Sequence, residues 1–217
     1  MLDHRVLRQE RDGTVAVHAD VSEFARHRSN DMLVDAAGRA YVGDFGFDSE
    51  AAAPDARRPV PASLTSVSPD GAVTEAASGL MFPNGMALTP DGGTMIVAET
   101  YGARLTAFNV APDGTLSGRR IWADLRRADV YPDGICLDAD GAVWYADVAR
   151  RHCVRVREGG AVLATAETDR GAFSCALSRG ADPRLFVVGQ NYGGPGSPEP
   201  SGQLVAFPAP APGAGRP

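Results

Sequence analysis

The chain has 217 residues, 44% of them hydrophobic, and a net charge of −6. All 21 of its basic residues are arginine, and they form no basic run, which argues against nucleic-acid binding. The N-terminal segment MLDHRVLRQERDG is charged and no long apolar segment follows, so we expect neither a secretory signal nor a membrane span.

The three cysteines, Cys136, Cys153 and Cys175, are odd in number and have no Cys-x-x-Cys spacing. This pattern favours buried, reduced thiols over a disulfide framework or a thiolate metal site. Reduced thiols in turn are typical of a cytoplasmic protein. We therefore expect a cytoplasmic location.

Most of the predicted elements are short strands. An early exception is DVSEFARH, where Asp20 or Ser22 can cap a brief helical turn. Elsewhere helical periodicity is nearly missing, and Asp-Gly pairs recur between short apolar or alternating runs, which is typical of β-hairpins with tight turns. These pairs begin at Asp12, Asp70, Asp91, Asp113 and Asp140.

One polar–strand–turn–strand unit occurs four times. It begins at Asn30 (NDMLVDAAGRAYVGD), Asn84 (NGMALTPDGGTMIVAET), Asp133 (DGICLDADGAVWYADV) and Ser174 (SCALSRGADPRLFVVGQ). A repeat about every 40 to 50 residues, with more polar hairpins between the units, indicates a β-propeller with four strands per blade. A β-sandwich is the alternative, but it does not explain the repetition.

The first residues of these units are candidates for a shared site. The first strand of each propeller blade lines the central channel, so we expect the four side chains to converge at one mouth. Their oxygens suit Ca²⁺, Mg²⁺ or Mn²⁺, with Zn²⁺ as an alternative at a carboxylate-rich site. Metal-assisted hydrolysis of an ester or a lactone is the reaction that such a site favours.

Three segments carry a resemblance to a known family. RSNDMLVDAAGRAYVGDFGF, FPNGMALTPDGGTMIVAET and YPDGICLDADGAVWYADV resemble signature segments of the SMP-30/gluconolactonase/LRE family. The resemblance implies a six-bladed β-propeller with one divalent cation at the channel mouth. Ca²⁺ is the first expectation for that cation, and Zn²⁺, Mn²⁺ or Mg²⁺ are alternatives. It also implies hydrolysis of sugar lactones or related esters by attack of a cation-activated water on the lactone carbonyl.

The resemblance also implies site residues. Asn84 and Asp133 match metal ligands, and Asp133 also matches the general base. Arg28 and Asn30 match residues that contact substrate or metal-bound water, whereas Asp48 matches a substrate-binding acidic residue by its offset alone. Each residue also has a structural alternative. Asn84 and Asp133 can cap loops, and Arg28 can form an ion pair with Asp31 or Asp44.

The sequence departs from the family pattern at its start. The family's remaining ligand is a glutamate in an EGP-like segment, and no such segment occurs here. We expect residues 1–217 to form a single propeller domain that lacks the first blade: the outer half of blade two, then blades three to six, with 208–217 as a C-terminal tail. Met1 resembles an internal methionine of a longer homologue.

Three hypotheses follow from this departure. The natural protein is longer, the short form is inactive, or another chain supplies the lost blade. The expected partner is a small lactone, with no nucleic acid or membrane, and the protein is a monomer if complete and associates if truncated. The alternative function is an inactive or non-catalytic propeller fragment that binds a small molecule or a protein.

Overall fold

A computed structural model of the chain describes residues 3–48, 59–126, 130–191 and 201–215. The chain divides into two compact units, residues 1–83 and 84–217. All the regular elements within the described residues are β-strands. No helix with the length and apolarity that a bilayer crossing requires occurs among these residues. The expected all-β class is therefore confirmed.

The first unit contains a hairpin and a four-stranded antiparallel sheet, in the strand orders β1-β2 and β3-β4-β5-β6. Its strands are β1 (Arg5–Gln9), β2 (Val15–Asp20), β3 (Ser29–Val34), β4 (Ala40–Asp44), β5 (Ala62–Val67) and β6 (Val73–Leu80). The predicted helical turn is a single turn, in which the amide of Ala25 donates to the carbonyl of Val21. Asp20 Oδ1 accepts the backbone N–H of Ser22, which confirms Asp20 as its cap.

The second unit contains three sheets, which follow one another along the chain. Their orders are β10-β9-β8-β7, β14-β13-β12-β11-β18 and β15-β16-β17. The strands of the first of these sheets are β7 (Pro83–Leu88), β8 (Thr94–Glu99), β9 (Arg104–Val110) and β10 (Leu116–Asp124). Those of the second are β11 (Pro132–Asp138), β12 (Val143–Asp147), β13 (His152–Val156) and β14 (Val162–Glu167). The remaining strands are β15 (Gly171–Leu177), β16 (Arg184–Gln190), β17 (Gln203–Pro208) and β18 (Gly213–Ala214). The segment 208–217, expected as a tail, thus contributes β18, which pairs with β11.

In the three largest sheets, burial falls from the second to the fourth strand in chain order, although β3, the first strand of its sheet, is itself mostly half-buried or exposed. Every residue of β4, β7 and β12 is buried, whereas β6, β10 and β14 are mostly half-buried or exposed. Inner strands covered on both faces are continuous apolar runs, and outer strands alternate because one face meets solvent. The repeating blade-like unit that the sequence predicts is therefore confirmed.

One buried carboxylate in these sheets forms an ion pair with a neighbouring arginine. The carboxylate of Asp138 is fully buried, and Arg155 Nε donates to its Oδ2 at 2.6 Å. Asp138 Oδ1 accepts the backbone N–H groups of Asp140 and Ala142, both at 3.0 Å. Asp138 thus stabilises the turn that contains Asp140 and Gly141, and it is also half of a buried ion pair.

The three cysteines are buried and free, as predicted. Cys136 Sγ lies 3.7 Å from Cys175 Sγ, between β11 and β15. Cys153, on β13, belongs to the same apolar cluster as these two. The cluster packs the last two sheets of the second unit against each other, so the thiols serve as core side chains.

Candidate functional site

The first inner strand of three sheets is irregular at its start. The pairing register shifts between Ser29 and Met32 in β3, between Pro132 and Ile135 in β11, and between Ala172 and Ser174 in β15. Such β-bulges change the direction in which side chains point and are frequent beside functional sites. Asn30 and Asp133 both lie inside these irregular segments.

Close backbone contact brings three of the predicted positions together in the second unit. A Cβ on Gly85 would lie 2.5 Å from the carbonyl oxygen of Asp133 and 2.7 Å from Cα of Gly134. A Cβ on Gly134 would in turn lie 2.8 Å from Cα of Ser174. The starts of β7, β11 and β15 are therefore neighbours, which places Asn84, Asp133 and Ser174 side by side. The glycines after Asn84 and Asp133 are needed for this approach.

Asn84 is buried, with 4% of its surface exposed, and its amide is only half satisfied. Its Nδ2 donates to Thr100 Oγ1 at 3.0 Å, and Thr100 Oγ1 donates to the carbonyl of Pro132 at 2.8 Å. Oδ1 of Asn84 is buried and has no hydrogen-bond partner. A buried acceptor without a donor costs about 1–3 kcal/mol, so such an atom points to a ligand or an ordered water.

Asp133 is the second residue of β11 and is partly exposed. The residue two positions earlier, Tyr131, contacts Tyr101 edge to face, with ring centroids 6.1 Å apart. Both rings are substantially exposed, at 37% for Tyr131 and 42% for Tyr101. Because Tyr101 follows Thr100 in the chain, these two rings flank the hydrogen bond between Thr100 and Pro132.

Asp147, at the end of β12, fixes the segment that leads into Asp133. Its carboxylate is fully buried, and Oδ1 accepts the backbone N–H groups of Tyr131 at 3.4 Å and Ala149 at 3.1 Å. Burial raises the pKa of the Asp147 carboxyl, and these backbone donors oppose part of that rise. Oδ2 has no hydrogen-bond partner and lies 3.6 Å from Nε2 of His152.

The predicted substrate residues Arg28, Asn30 and Asp48 lie in the first unit. The carbonyl of Arg28 accepts the backbone N–H of Phe45 at 3.0 Å, and Nδ2 of Asn30 is buried without a partner. Asp48 is exposed, four residues beyond the end of β4. Asp44, offered as an ion-pair partner for Arg28, accepts the backbone N–H groups of Arg26 and His27 through its Oδ2.

Three phenylalanines pack together in the same unit. The Phe45 ring centroid lies 4.6 Å from that of Phe82, and Phe47 lies 5.7 Å from each of the other two. Phe82 has a φ of 59°, a conformation that is rare for a bulky residue and costs energy. Ring packing is the role that these contacts show for the cluster.

The donor set fits an oxygen-preferring dication, although it is sparse. Asn84 Oδ1 is a buried oxygen without a hydrogen-bond partner, and Asp133 carries a carboxylate near the start of the neighbouring strand β11. Among the described residues, no group of three His, Cys, Asp or Glu side chains could hold a metal ion. Two protein oxygens leave most positions of a cation to water or substrate, so this set predicts weak affinity.

Comparison with known proteins decides the family. The model of the SMP-30/Gluconolactonase/LRE-like region matches residues 1–190. The chain belongs to this family. Regucalcin from Danio rerio is 29% identical over 134 residues, which is 61% of the chain and 43% of that protein. Pentonolactonase XacC from Haloferax volcanii is 29% identical over 171 residues, which is 77% of the chain and 50% of that protein. The chain thus spans about half the length of the curated relatives it matches.

A solved structure supports the family's fold. The structure of a luciferin-regenerating enzyme aligns with 99% of this chain, and the alignment covers 75% of the enzyme's chain. The TM-score is 0.80 and the sequence identity is 21%. At this identity, the likeness concerns the fold alone. It extends over nearly all of the chain and confirms a propeller-like arrangement of the blades described above.

Sequence reasoning missed Thr100 and Asp147, which both support the candidate ligands. Thr100 directly follows a strand and Asp147 ends one, and neither residue type has a recognisable sequence motif at such a position. The available signal is the repeat, because Asp44, Glu99 and Asp147 end the second inner strand of three successive sheets. A polar residue that recurs at one place in every repeat has a shared structural task.

Proposed function

We propose that this chain is, or is part of, a metal-dependent hydrolase of sugar lactones or related esters. The observation that carries the proposal is the buried, unpartnered Oδ1 of Asn84 beside the start of the Asp133 strand. Membership of a family that includes gluconolactonases, and similarity to a pentonolactonase, support the substrate class. The six-bladed ring, with its first blade outside this sequence, is part of the same proposal.

Asn84 Oδ1 and the carboxylate of Asp133 would hold the cation, with Ca²⁺ as the first expectation and Zn²⁺, Mn²⁺ or Mg²⁺ as alternatives. When bound there, a dication polarises a carbonyl oxygen and makes a neighbouring water more acidic. Asp133 acts as the general base, accepting a proton from the water that attacks the lactone carbonyl. The ring ester then opens to a hydroxy acid, and the proton passes to the departing alkoxide.

Arg28, Asn30 and Asp48 are the proposed substrate-binding residues. The guanidinium of Arg28 is a donor suited to the oxygens of a sugar lactone, and the amide of Asn30 has a donor to spare. Asp48 would accept from a sugar hydroxyl. The proposed substrate is a small molecule, and the three buried free thiols support a cytoplasmic location.

The proposal is tested by lactone hydrolysis. The purified chain is assayed against a panel of sugar lactones with added Ca²⁺, Mn²⁺ or Zn²⁺. Asp133→Asn is expected to lower kcat/KM by about 100-fold or more, because it removes the general base. The matched control is Asp12→Asn, the same change in an exposed turn where Oδ1 accepts the backbone N–H of Thr14. Cation-dependent hydrolysis that Asp133→Asn leaves unchanged would contradict the assignment.

A non-catalytic binding propeller is the second candidate. It is favoured by the lack, among the described residues, of three His, Cys, Asp or Glu side chains grouped around one point. This function predicts that elemental analysis finds no stoichiometric metal in the purified protein. It also predicts that no lactone is turned over with any of the three cations.

A further inference from the structure

Thr100 joins Asn84 to Pro132, the residue before Asp133, through one hydroxyl group. It follows Glu99, the last residue of β8, and only 7% of its surface is exposed. Its Oγ1 lies 3.0 Å from Nδ2 of Asn84 and 2.8 Å from the carbonyl oxygen of Pro132, the residue before Asp133. Both contacts have the length of ordinary hydrogen bonds.

The directions of these two bonds follow from chemistry. A carbonyl oxygen only accepts, so the single hydroxyl proton of Thr100 must point to Pro132. Thr100 Oγ1 can then only accept from Asn84, and the group that faces it must be the amide nitrogen. The carboxamide of Asn84 is therefore fixed in one of its two orientations, with Oδ1 turned away from Thr100.

We propose that Thr100 is a positioning residue of the candidate metal site. The hydroxyl of Thr100 keeps Asn84 turned so that Oδ1, rather than Nδ2, faces the cation; this role rests on the proposed function. The bond to Pro132 also ties the start of the Asp133 strand to the same hydroxyl. Without the Thr100 hydroxyl, the side-chain amide of Asn84 rotates so that Nδ2 donates to another acceptor. Cation binding must then rotate the amide back.

The first experiment measures Mn²⁺ affinity by electron paramagnetic resonance, which counts free Mn²⁺ directly and suits weak sites. Thr100→Val keeps the shape but neither donates nor accepts a hydrogen bond, and Thr100→Ser keeps the hydroxyl. We expect Thr100→Val to weaken Mn²⁺ binding about tenfold, the equivalent of about 1.4 kcal/mol. Thr100→Ser should stay within about threefold of the parent. Should Thr100→Val fail to fold, Thr100→Ala takes its place.

The second experiment separates orientation from general damage. Asn84→Asp replaces the amide with a carboxylate, whose two oxygens are equivalent and need no orientation. In that background, Thr100→Val should change Mn²⁺ affinity less than about threefold, so the two substitutions are strongly coupled. An equal loss in both backgrounds would mean that Thr100 acts on stability alone and would overturn the inference.

A third readout needs no metal. In metal-free protein, the side-chain amide protons of Asn84 should shift in Thr100→Val and keep their resonance positions in Thr100→Ser. If the parent protein binds Mn²⁺, but no more tightly than Thr100→Val does, the role of Thr100 is overturned and the metal site is retained. If the parent protein binds no Mn²⁺, the metal site itself is overturned, so the two failures are distinct.

Discussion

Gly85→Ala tests how closely the inner strands of the second unit approach each other. The added Cβ would lie 2.5 Å from the Asp133 carbonyl oxygen, 2.6 Å from the Ile135 nitrogen and 2.7 Å from Cα of Gly134. All three are backbone atoms of one strand, so rotation of a side chain cannot relieve the overlap. The strand that carries Asp133 must therefore move away from β7.

The expected cost is large for one methyl group. Overpacking a well-packed interior costs about 1–3 kcal/mol, and three backbone contacts below 3.0 Å place this variant at the upper end or beyond. For a chain of this size each kcal/mol lowers Tm by about 2–4 °C, so about 3 kcal/mol predicts a fall of about 6–12 °C. Displacement of Asp133 should also abolish the lactone hydrolysis and Mn²⁺ binding proposed above.

The matched control is Gly202→Ala, where nothing lies within 4 Å of the added Cβ and φ is not positive. Urea unfolding of both variants, followed by tryptophan fluorescence, gives the free energies of unfolding, and thermal melting gives Tm. Gly202→Ala should stay within about 0.5 kcal/mol of the parent. Equal stability of the two variants would refute the close packing of β7 on β11, and with it the placement of Asn84 beside Asp133.

Two further substitutions test the buried carboxylates. Arg155→Ala leaves the fully buried Asp138 without its cation and should cost about 3–5 kcal/mol. Arg126→Ala breaks only an exposed pair and should change stability little. Equal losses of stability in urea unfolding would show that the buried charge of Asp138 does not depend on Arg155. Asp147→Asn removes a carboxyl group. Burial raises the pKa of this group above its value in the unfolded chain, so the folded parent binds the proton more tightly than the unfolded chain does. Parent stability therefore falls as pH rises from the unfolded-state pKa toward the raised pKa, and Asp147→Asn should gain stability relative to the parent over that rise. A Tm difference that does not change with pH would contradict this.

Repetition and turn chemistry made the fold predictable. Asp-Gly pairs mark hairpins because tight turns need a residue that tolerates positive φ, and Gly13 and Gly141 have φ of 87° and 76°. The start of each repeat marks Asn84 and Asp133 as candidates because equivalent residues of a repeat occupy equivalent places. Turn pairs and repeated segments are both visible in the sequence alone.

The supporting contacts were not predictable, because they join residues far apart in sequence. Arg155 on β13 reaches Asp138 on β11 across the intervening strand β12, and Thr100 reaches Pro132 from the preceding sheet. The requirement for glycine at position 134 is set in the same way, because the approach of Ser174 excludes a side chain there. Such requirements are set by the packing of one sheet on the next, which a single sequence does not specify.

Two polar positions recur in the repeated unit, and the fold treats them differently. At the end of the second inner strand, Asp44 and Asp147 accept backbone N–H groups of the adjacent loops, and Glu99 forms a bidentate pair with Arg104. These carboxylates bond within the protein, although Asp147 Oδ2 has no hydrogen-bond partner. At the start of the first inner strand, Asn30 and Asn84 each keep a buried polar atom without a partner. Of the two open atoms, Asn84 Oδ1 is an acceptor and suits a cation or a water, whereas Asn30 Nδ2 is a donor and suits an oxygen of a substrate or a water.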